Sequence, residues 1–313
     1  MIALVCPGQG SQTPGFLAPW LELPGLRERA EALSDAAGVD LVTHGTTSDA
    51  DTIRDTAVAQ PLIVGAGLLA LDALYADRPD TLASSAGVVA GHSVGEITGA
   101  AATGVLTPQD AMSLVSLRGR AMAEASAITP TGMSAVVGGD PAEVAAALDR
   151  HGLTPANMNG AGQVVAAGTL EQLAAFAADP PAKTRVIPLQ VAGAFHTVHM
   201  APAADELSAE WSDHNVSDPG VTLLSNTDGV AVATGAEFLR RLISQVRNPV
   251  RWDLCMETMT ELGVTGLVEL APAGTLVGLA KRAMKGVPTV ALKTPDDLDA
   301  ARELLAASTS AKA

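Results

Sequence analysis

An apolar run, Ala86-Gly87-Val88-Val89-Ala90, passes directly into Gly91-His92-Ser93-Val94-Gly95, and a segment of small residues follows. The run reads as a buried strand and the small residues as a helix, so Ser93 falls on a strand-to-helix turn. Glycines two places to either side permit a tight turn that holds the hydroxyl outward at a helix N-terminus. A helix end there also favours developing negative charge. Such a turn needs a sheet behind it, and the chain has the strands. Ile2–Cys6 is buried and stops at Pro7-Gly8-Gln9-Gly10; 221–225, 266–270 and 289–292 read as three more. Helical stretches at 25–37, 57–75, 236–245 and 254–262 lie between them. Thr107-Pro108 caps and opens another, which runs through Arg118 and Met122. Strands alternating with helices predict a parallel sheet covered on both faces.

Between Gly132 and Val191 the pattern changes. Strand-like pieces at 133–138, 155–159, 163–168 and 185–191 enclose two helices, opened by Asp140-Pro141 and by the capping box Thr169 to Gln172. The order β-α-β-β-α-β is that of a split βαβ unit. The expected class is therefore α/β: a large α/β-hydrolase-like domain with a parallel sheet core, residues 1–127 and 193–313, and an inserted small ferredoxin-like (βαββαβ) domain, residues 128–192. Ser308 to Ala313 reads as a frayed tail.

Charge narrows the partners. The 313 residues carry 19 Lys+Arg against 34 Asp+Glu, a net charge of −15, which excludes a counterion-release nucleic-acid binder. Two cysteines, Cys6 and Cys255, exclude a disulfide framework and a Cys-rich zinc site, and no metal is expected. No basic segment precedes an apolar run at the N-terminus, and the greasiest stretch, Leu62 to Ala76, is interrupted by Asp72 and reads as too short for a membrane span. A cytoplasmic, globular protein is expected, with no membrane partner.

A serine nucleophile needs a base, and six histidines compete. His92 adjoins the serine, where neighbouring side chains diverge. His44, His151 and His214 sit among turn residues. His196 follows Val191 to Phe195, where the chain re-enters the larger domain, and serine before histidine is the order of α/β hydrolases. A core histidine with satisfied hydrogen bonds is an equal reading of His196 on these grounds.

Seven blocks then occur in order: Pro7 to Gln12, Ala59-Gln60-Pro61, Gly91 to Glu96, Arg118-Gly119 with Met122, Asn157-Met158-Asn159 with Gly162-Gln163, Gly193 to His196, and Asn248 to Trp252. Together they resemble bacterial malonyl-CoA:acyl carrier protein transacylases, the loading enzymes of dissociated fatty acid synthesis. The resemblance implies that Ser93 attacks malonyl-CoA in a ping-pong cycle and His196 removes its proton, with the backbone N–H groups of Gln9 and Val94 as oxyanion donors. It implies no triad acid; a carbonyl near Asn248 to Val250, or the Gln245 side chain, would orient the histidine. It makes Arg118 the partner of the malonyl carboxylate, a bidentate pairing that neutral acyl groups cannot form. Gln60, Met122, Phe195, Gln245, Asn157, Asn159 and Gln163 would line the substrate site. No cofactor is implied. The partner the resemblance implies is acidic acyl carrier protein, and Lys281, Arg282 and Lys285, the densest basic cluster, would be its docking site. A serine hydrolase on the same turn, an idle carrier-binding module and a methylmalonyl-preferring acyltransferase are the competing readings.

Overall fold

Ile2, Leu4 and Cys6 face one side of β1 (Ile2–Cys6), Ala3 and Val5 face the other, and all five are buried. An apolar strand of this kind is stable only in the middle of a sheet with both faces covered. The computed structural model, which describes residues 1–76, 78 and 81–310, places it there. After β1 come α1 (Ala18–Leu21), α2 (Leu26–Ala37), α3 (Leu41–Thr46), α4 (Thr56–Tyr75) and α5 (Leu82–Ser85). Then follow β2 (Val88–Gly91), α6 (Gly95–Ala102) and α7 (Pro108–Ile128). Thr107 caps α7 by accepting from Asp110 N–H at 3.0 Å.

The middle of the chain forms β3 (Thr131–Gly138), α8 (Pro141–Arg150), β4 (Thr154–Gly160), β5 (Gln163–Thr169), α9 (Leu170–Ala178) and β6 (Thr184–Pro188). It builds a separate antiparallel sheet in the order β4-β5-β3-β6. Val136 and Ala166 pack under α8 and α9 with Leu148 and Phe176. Met133, Ala135 and Val165 face the opposite way. Asp140 and Thr169 cap α8 and α9 as expected.

The chain closes with α10 (Ala201–Trp211), β7 (Thr222–Leu223), α11 (Gly235–Gln245), α12 (Trp252–Glu261), β8 (Gly266–Glu269), α13 (Thr275–Ala283), β9 (Thr289–Ala291) and α14 (Leu298–Ser310). The first sheet is parallel throughout, in the order β7-β2-β1-β8-β9. Helices α4, α6 and α7 cover one face, and α12 and α13 the other. The two sheets are tied by backbone: Met158 N–H donates to Val250 O and Val250 N–H to Ala156 O, both at 2.9 Å.

Four local expectations need correction. Helix α4 has the length and apolarity of a membrane span, but 78% of that window is buried inside the protein, which makes it a core helix. His44 sits on α3, not in a turn. The last strand of the second sheet ends at Pro188, because the chain turns away there towards Ala194. Helix α14 continues through Ser310, where a frayed tail was expected; residues 311–313 lie outside the described residues.

Candidate active site

Strand β2 ends at Gly91, and the chain reverses into α6 through Ser93, whose φ is +53°. That left-handed conformation is unusual for a residue with a side chain and is held only where the surroundings impose it. Both flanking glycines are obligatory. A Cβ on Gly91 would overlap the Gly95–Glu96 backbone, and one on Gly95 would overlap the Cys6 carbonyl. The turn is braced by Asn226, which accepts from Ser93 N–H at 2.8 Å and donates from Nδ2 to Gly91 O at 2.7 Å.

Ser93 Oγ lies 2.7 Å from Nε2 of His196. His196 also has a positive φ, +60°, and its Nδ1 donates to the backbone carbonyl of Gln245 at 2.8 Å. That bond fixes the tautomer, leaving Nε2 free to accept the serine proton. The orienting group is thus the main chain of Gln245, rather than its side chain. Burial first, then the Arg118 charge, push His196 down to about 3, so the imidazole is neutral at neutral pH.

Arg118, on α7, is 1% exposed. Its NH1 donates to Gln60 Oε1 at 2.7 Å, and its NH2 to Gln245 Oε1 at 3.0 Å and Ser93 Oγ at 3.3 Å. Its Nε has no acceptor among the described residues. A buried guanidinium without a carboxylate on it, and with donor capacity to spare, suits an incoming anion. Burial lowers Arg118 to about 10, with Glu96 opposing the shift, so it stays charged.

These groups open into a cavity of about 260 Å³ between the two sheets. Gln9, Gln60, Ser93, Val94, Arg118, Met122, Phe195 and His196 line one side; Asn157, Asn159 and Gln163 line the other. The N–H groups of Gln9 and Val94 have no acceptor among the described residues. Gln245 differs from expectation: it lies behind the cavity wall, not on it. A larger cavity, about 360 Å³, lies beneath α8, but Asp149 is its only ionisable lining residue and it holds no nucleophile. Lys281, Arg282 and Lys285 are exposed near the end of α13, whose Thr275, Leu276 and Leu279 line the site. Arg282 reaches Gln163 Oε1 at 3.3 Å.

Residues 3–307 match the acyl transferase domain family. The malonyl CoA-acyl carrier protein transacylase of Mycobacterium tuberculosis (strain ATCC 25618 / H37Rv) is 54% identical over 299 residues, covering 96% of this chain and 98% of its own length. That of Escherichia coli (strain K12) is 34% identical over 309 residues, covering 96% and 99%. The chain belongs to the malonyl CoA-acyl carrier protein transacylase family. It is an acyltransferase of that family. The crystal structure of MCAT from Mycobacterium tuberculosis superposes with a TM-score of 0.90 at 52% identity, covering 97% of this chain and 99% of the other. A complex of the malonyl-transacylase PlMCAT with holo AntF, a type II PKS acyl-carrier protein, gives 0.86 at 30% identity, covering 96% and 99%.

Two residues of the transacylase site escaped the sequence reading. Glu96 is 1% exposed on the first turn of α6 and receives N–H donors on both oxygens. An acid one turn into an otherwise small and apolar helix was the available signal. Asn226 is fully buried, yet Ser225-Asn226-Thr227-Asp228-Gly229 reads locally as a turn, and nothing in it points to Ser93.

Proposed function

We propose that the chain transfers the malonyl group from malonyl-CoA to the phosphopantetheine thiol of an acyl carrier protein, by a ping-pong cycle through malonyl-Ser93. The observation that carries this reading is the convergence of base and cation on one hydroxyl: Ser93 Oγ lies 2.7 Å from His196 Nε2 and 3.3 Å from Arg118 NH2. Ser93 Oγ attacks the thioester carbonyl while His196 Nε2 takes its proton. The N–H groups of Gln9 and Val94 receive the oxyanion. Collapse breaks the C–S bond, and the CoA sulfur leaves with the proton from His196. In the second half the carrier thiol gives its proton to His196 and attacks the ester carbonyl; Ser93 regains the proton as it departs. Arg118 pairs with the malonyl carboxylate, which offsets the positive charge that depresses His196 and so strengthens the base when the correct acyl group is bound. Nucleophile, base and donors all come from the chain, so the cycle needs no cofactor.

In this reading the second sheet, with its order β4-β5-β3-β6 and helices on one face, is a ferredoxin-like insertion of residues 128–192 in a large domain of 1–127 and 193–313. The acidic carrier docks on Lys281, Arg282 and Lys285, beside the cavity mouth. The complex of PlMCAT with AntF supports a carrier protein as partner. The enzyme acts in the cytoplasm and loads carriers of fatty acid synthesis, with polyketide carriers as a second outlet. Incubation with malonyl-CoA alone tests the nucleophile: intact mass and peptide mapping should find one malonyl group, on Ser93, and none on Ser93→Ala. A label on Cys6, Cys255 or any other residue would overturn the assignment; rapid release of free malonate would indicate a hydrolase.

A further inference from the structure

We infer that Glu96 is a positioning residue of this site: it orients the Gln245 amide so that its oxygen holds Arg118 while its nitrogen holds the Ser93 turn. Glu96 touches no substrate-facing surface and takes no part in the cycle above. Among the described residues it has no cation at ion-pair distance. Burial pushes the Glu96 carboxyl up to about 8, against the pull of the Asn226 N–H and of Arg118, and a group so costly to bury calls for a reason.

The hydrogen bonds supply it. Glu96 Oε2 accepts from Gln245 Nε2 at 2.6 Å, the shortest contact that amide makes. The same Nε2 reaches Ser93 O at 3.1 Å and Asn226 Oδ1 at 3.1 Å. Gln245 Oε1 then points to Arg118 NH2. The amide has a donor end and an acceptor end, and only one orientation suits these neighbours. Turned over, its NH2 would oppose the guanidinium and its oxygen would oppose three acceptors. Glu96 Oε1 meanwhile accepts from Asn226 N–H, and Asn226 braces the Ser93 turn from both ends. One carboxylate therefore reaches Ser93 and Arg118 through two amides, while the main chain of Gln245 holds His196.

A glutamine at position 96 has the same shape but only one acceptor. The Asn226 N–H is fixed by the backbone and would claim that oxygen, leaving the new NH2 against the NH2 of Gln245. To avoid two donors in contact, Gln245 must shift or turn over, and Arg118 NH2 loses its Gln245 acceptor while NH1 keeps Gln60. The consequence is selective: groups that act on every acyl chain suffer less than the one that reads a carboxylate. This rests on the malonyl reading of Arg118.

The experiment has a readout with substrate and one without. At a pH above about 8, where Glu96 is ionised despite its burial, the rate of Ser93 acylation by malonyl-CoA, divided by that for acetyl-CoA, should fall about tenfold in Glu96→Gln, the scale of one charge-assisted hydrogen bond. Glu96→Asp keeps both acceptors on a shorter stem and should lie between wild type and Glu96→Gln. Equal loss for both acyl groups, an unchanged ratio, or a ratio in Glu96→Asp below that in Glu96→Gln would each overturn the inference. Independently of any substrate, the Gln245 side-chain amide should be protected from hydrogen exchange in the wild type and lose protection in Glu96→Gln. A wild-type amide that exchanges as fast as exposed glutamines overturns the inference even where Glu96→Gln fails to fold. A wild-type ratio near one refutes the malonyl reading alone, and the amide measurement then decides the role of Glu96.

Discussion

The two walls of the cleft are built differently. On the large-sheet side, Ser93 and His196 both have left-handed backbones, and Arg118, Gln245, Glu96 and Asn226 are buried in one continuous set of hydrogen bonds. On the other side, β4 bears register shifts at Pro155/Asn157 and Met158/Gly160, and presents Asn157 and Asn159 to the cavity. Their side chains have few ties among the described residues: Asn159 Oδ1 meets His92 Nε2 at 2.9 Å, and Gln163 meets Arg282. In the proposed cycle, proton transfer and carboxylate recognition need atoms held to within a fraction of an ångström, which is what an over-determined wall offers. In the same proposal, holding a long, flexible thioester arm would need only spaced polar groups, of the kind the bulged strand carries.

Substitutions should divide along the same line. The largest effect in the rigid wall beyond Ser93 is expected at His196: His196→Ala should slow acyl-enzyme formation by about 10²–10⁴-fold, the range for loss of a general base. Rapid-quench acylation measures it, and a larger loss in His199→Ala would show the base is misassigned. The same residue sets the pH response. Because His196 is depressed to about 3 in the folded protein, its unfolded form binds the proton first as pH falls below about 6.5. Its contribution to stability is therefore complete above that pH and is lost between about 6.5 and 3. The acid limb of malonyl-CoA kcat/KM should lie below 6.5 and should move up in Arg118→Ala, which removes the second cause of the depression; a limb that moves down contradicts this.

Arg118→Ala comes next. It should cost about one to two orders of magnitude in malonyl transfer, from a contact to a charged group of ~1.5–3 kcal/mol. Acetyl transfer should fall less, or rise, because an unpaired buried cation has gone. Arg118→Lys should recover part of the preference, since an ammonium lacks the planar fork. The ratio of kcat/KM for the two thioesters is the readout, and an unchanged ratio in Arg118→Ala would leave it without a role in selectivity. The smallest effects belong to the loosely tied wall. Asn159→Ala and Gln163→Ala should each raise KM for malonyl-CoA by less than about tenfold and leave the acylation step nearly intact, as loss of a neutral hydrogen bond does. A fall in the acylation rate as large as that of Arg118→Ala would show that the two walls are not distinct.

Much of this arrangement was legible one residue at a time. Apolar runs bounded by Gly and Pro marked β1, β2 and β8, and the caps Thr107, Asp140 and Thr169 marked three helix starts, because each depends on neighbours within a few residues. Ser93 was legible because its turn needs glycine at 91 and 95. His196 was one of six histidines, and its sequence surroundings alone left it level with a core residue. The expected orienting group was a carbonyl near Asn248 to Val250 or the Gln245 side chain. The nearest partner of His196 Nδ1 is instead the main-chain carbonyl of Gln245, with the Asn248 backbone acting on the same ring, since a carbonyl's direction follows from how α11 ends.

The sequence by itself determined the alternation of strands and helices, the β-α-β-β-α-β interruption and the serine turn, all of which follow from local periodicity and backbone sterics. Only the tertiary structure decided which histidine meets Ser93, that Gln245 stands behind Arg118 rather than in the cavity, and that Glu96 and Asn226 belong to the site. Arg118, His196, Asn226 and Gln245 contact Ser93 from 25 to 152 positions away. Hydrogen bonds of that kind exist only once the larger sheet, the helices on it and the loops between them have packed, and they depend on direction and burial, which no local pattern of residues encodes.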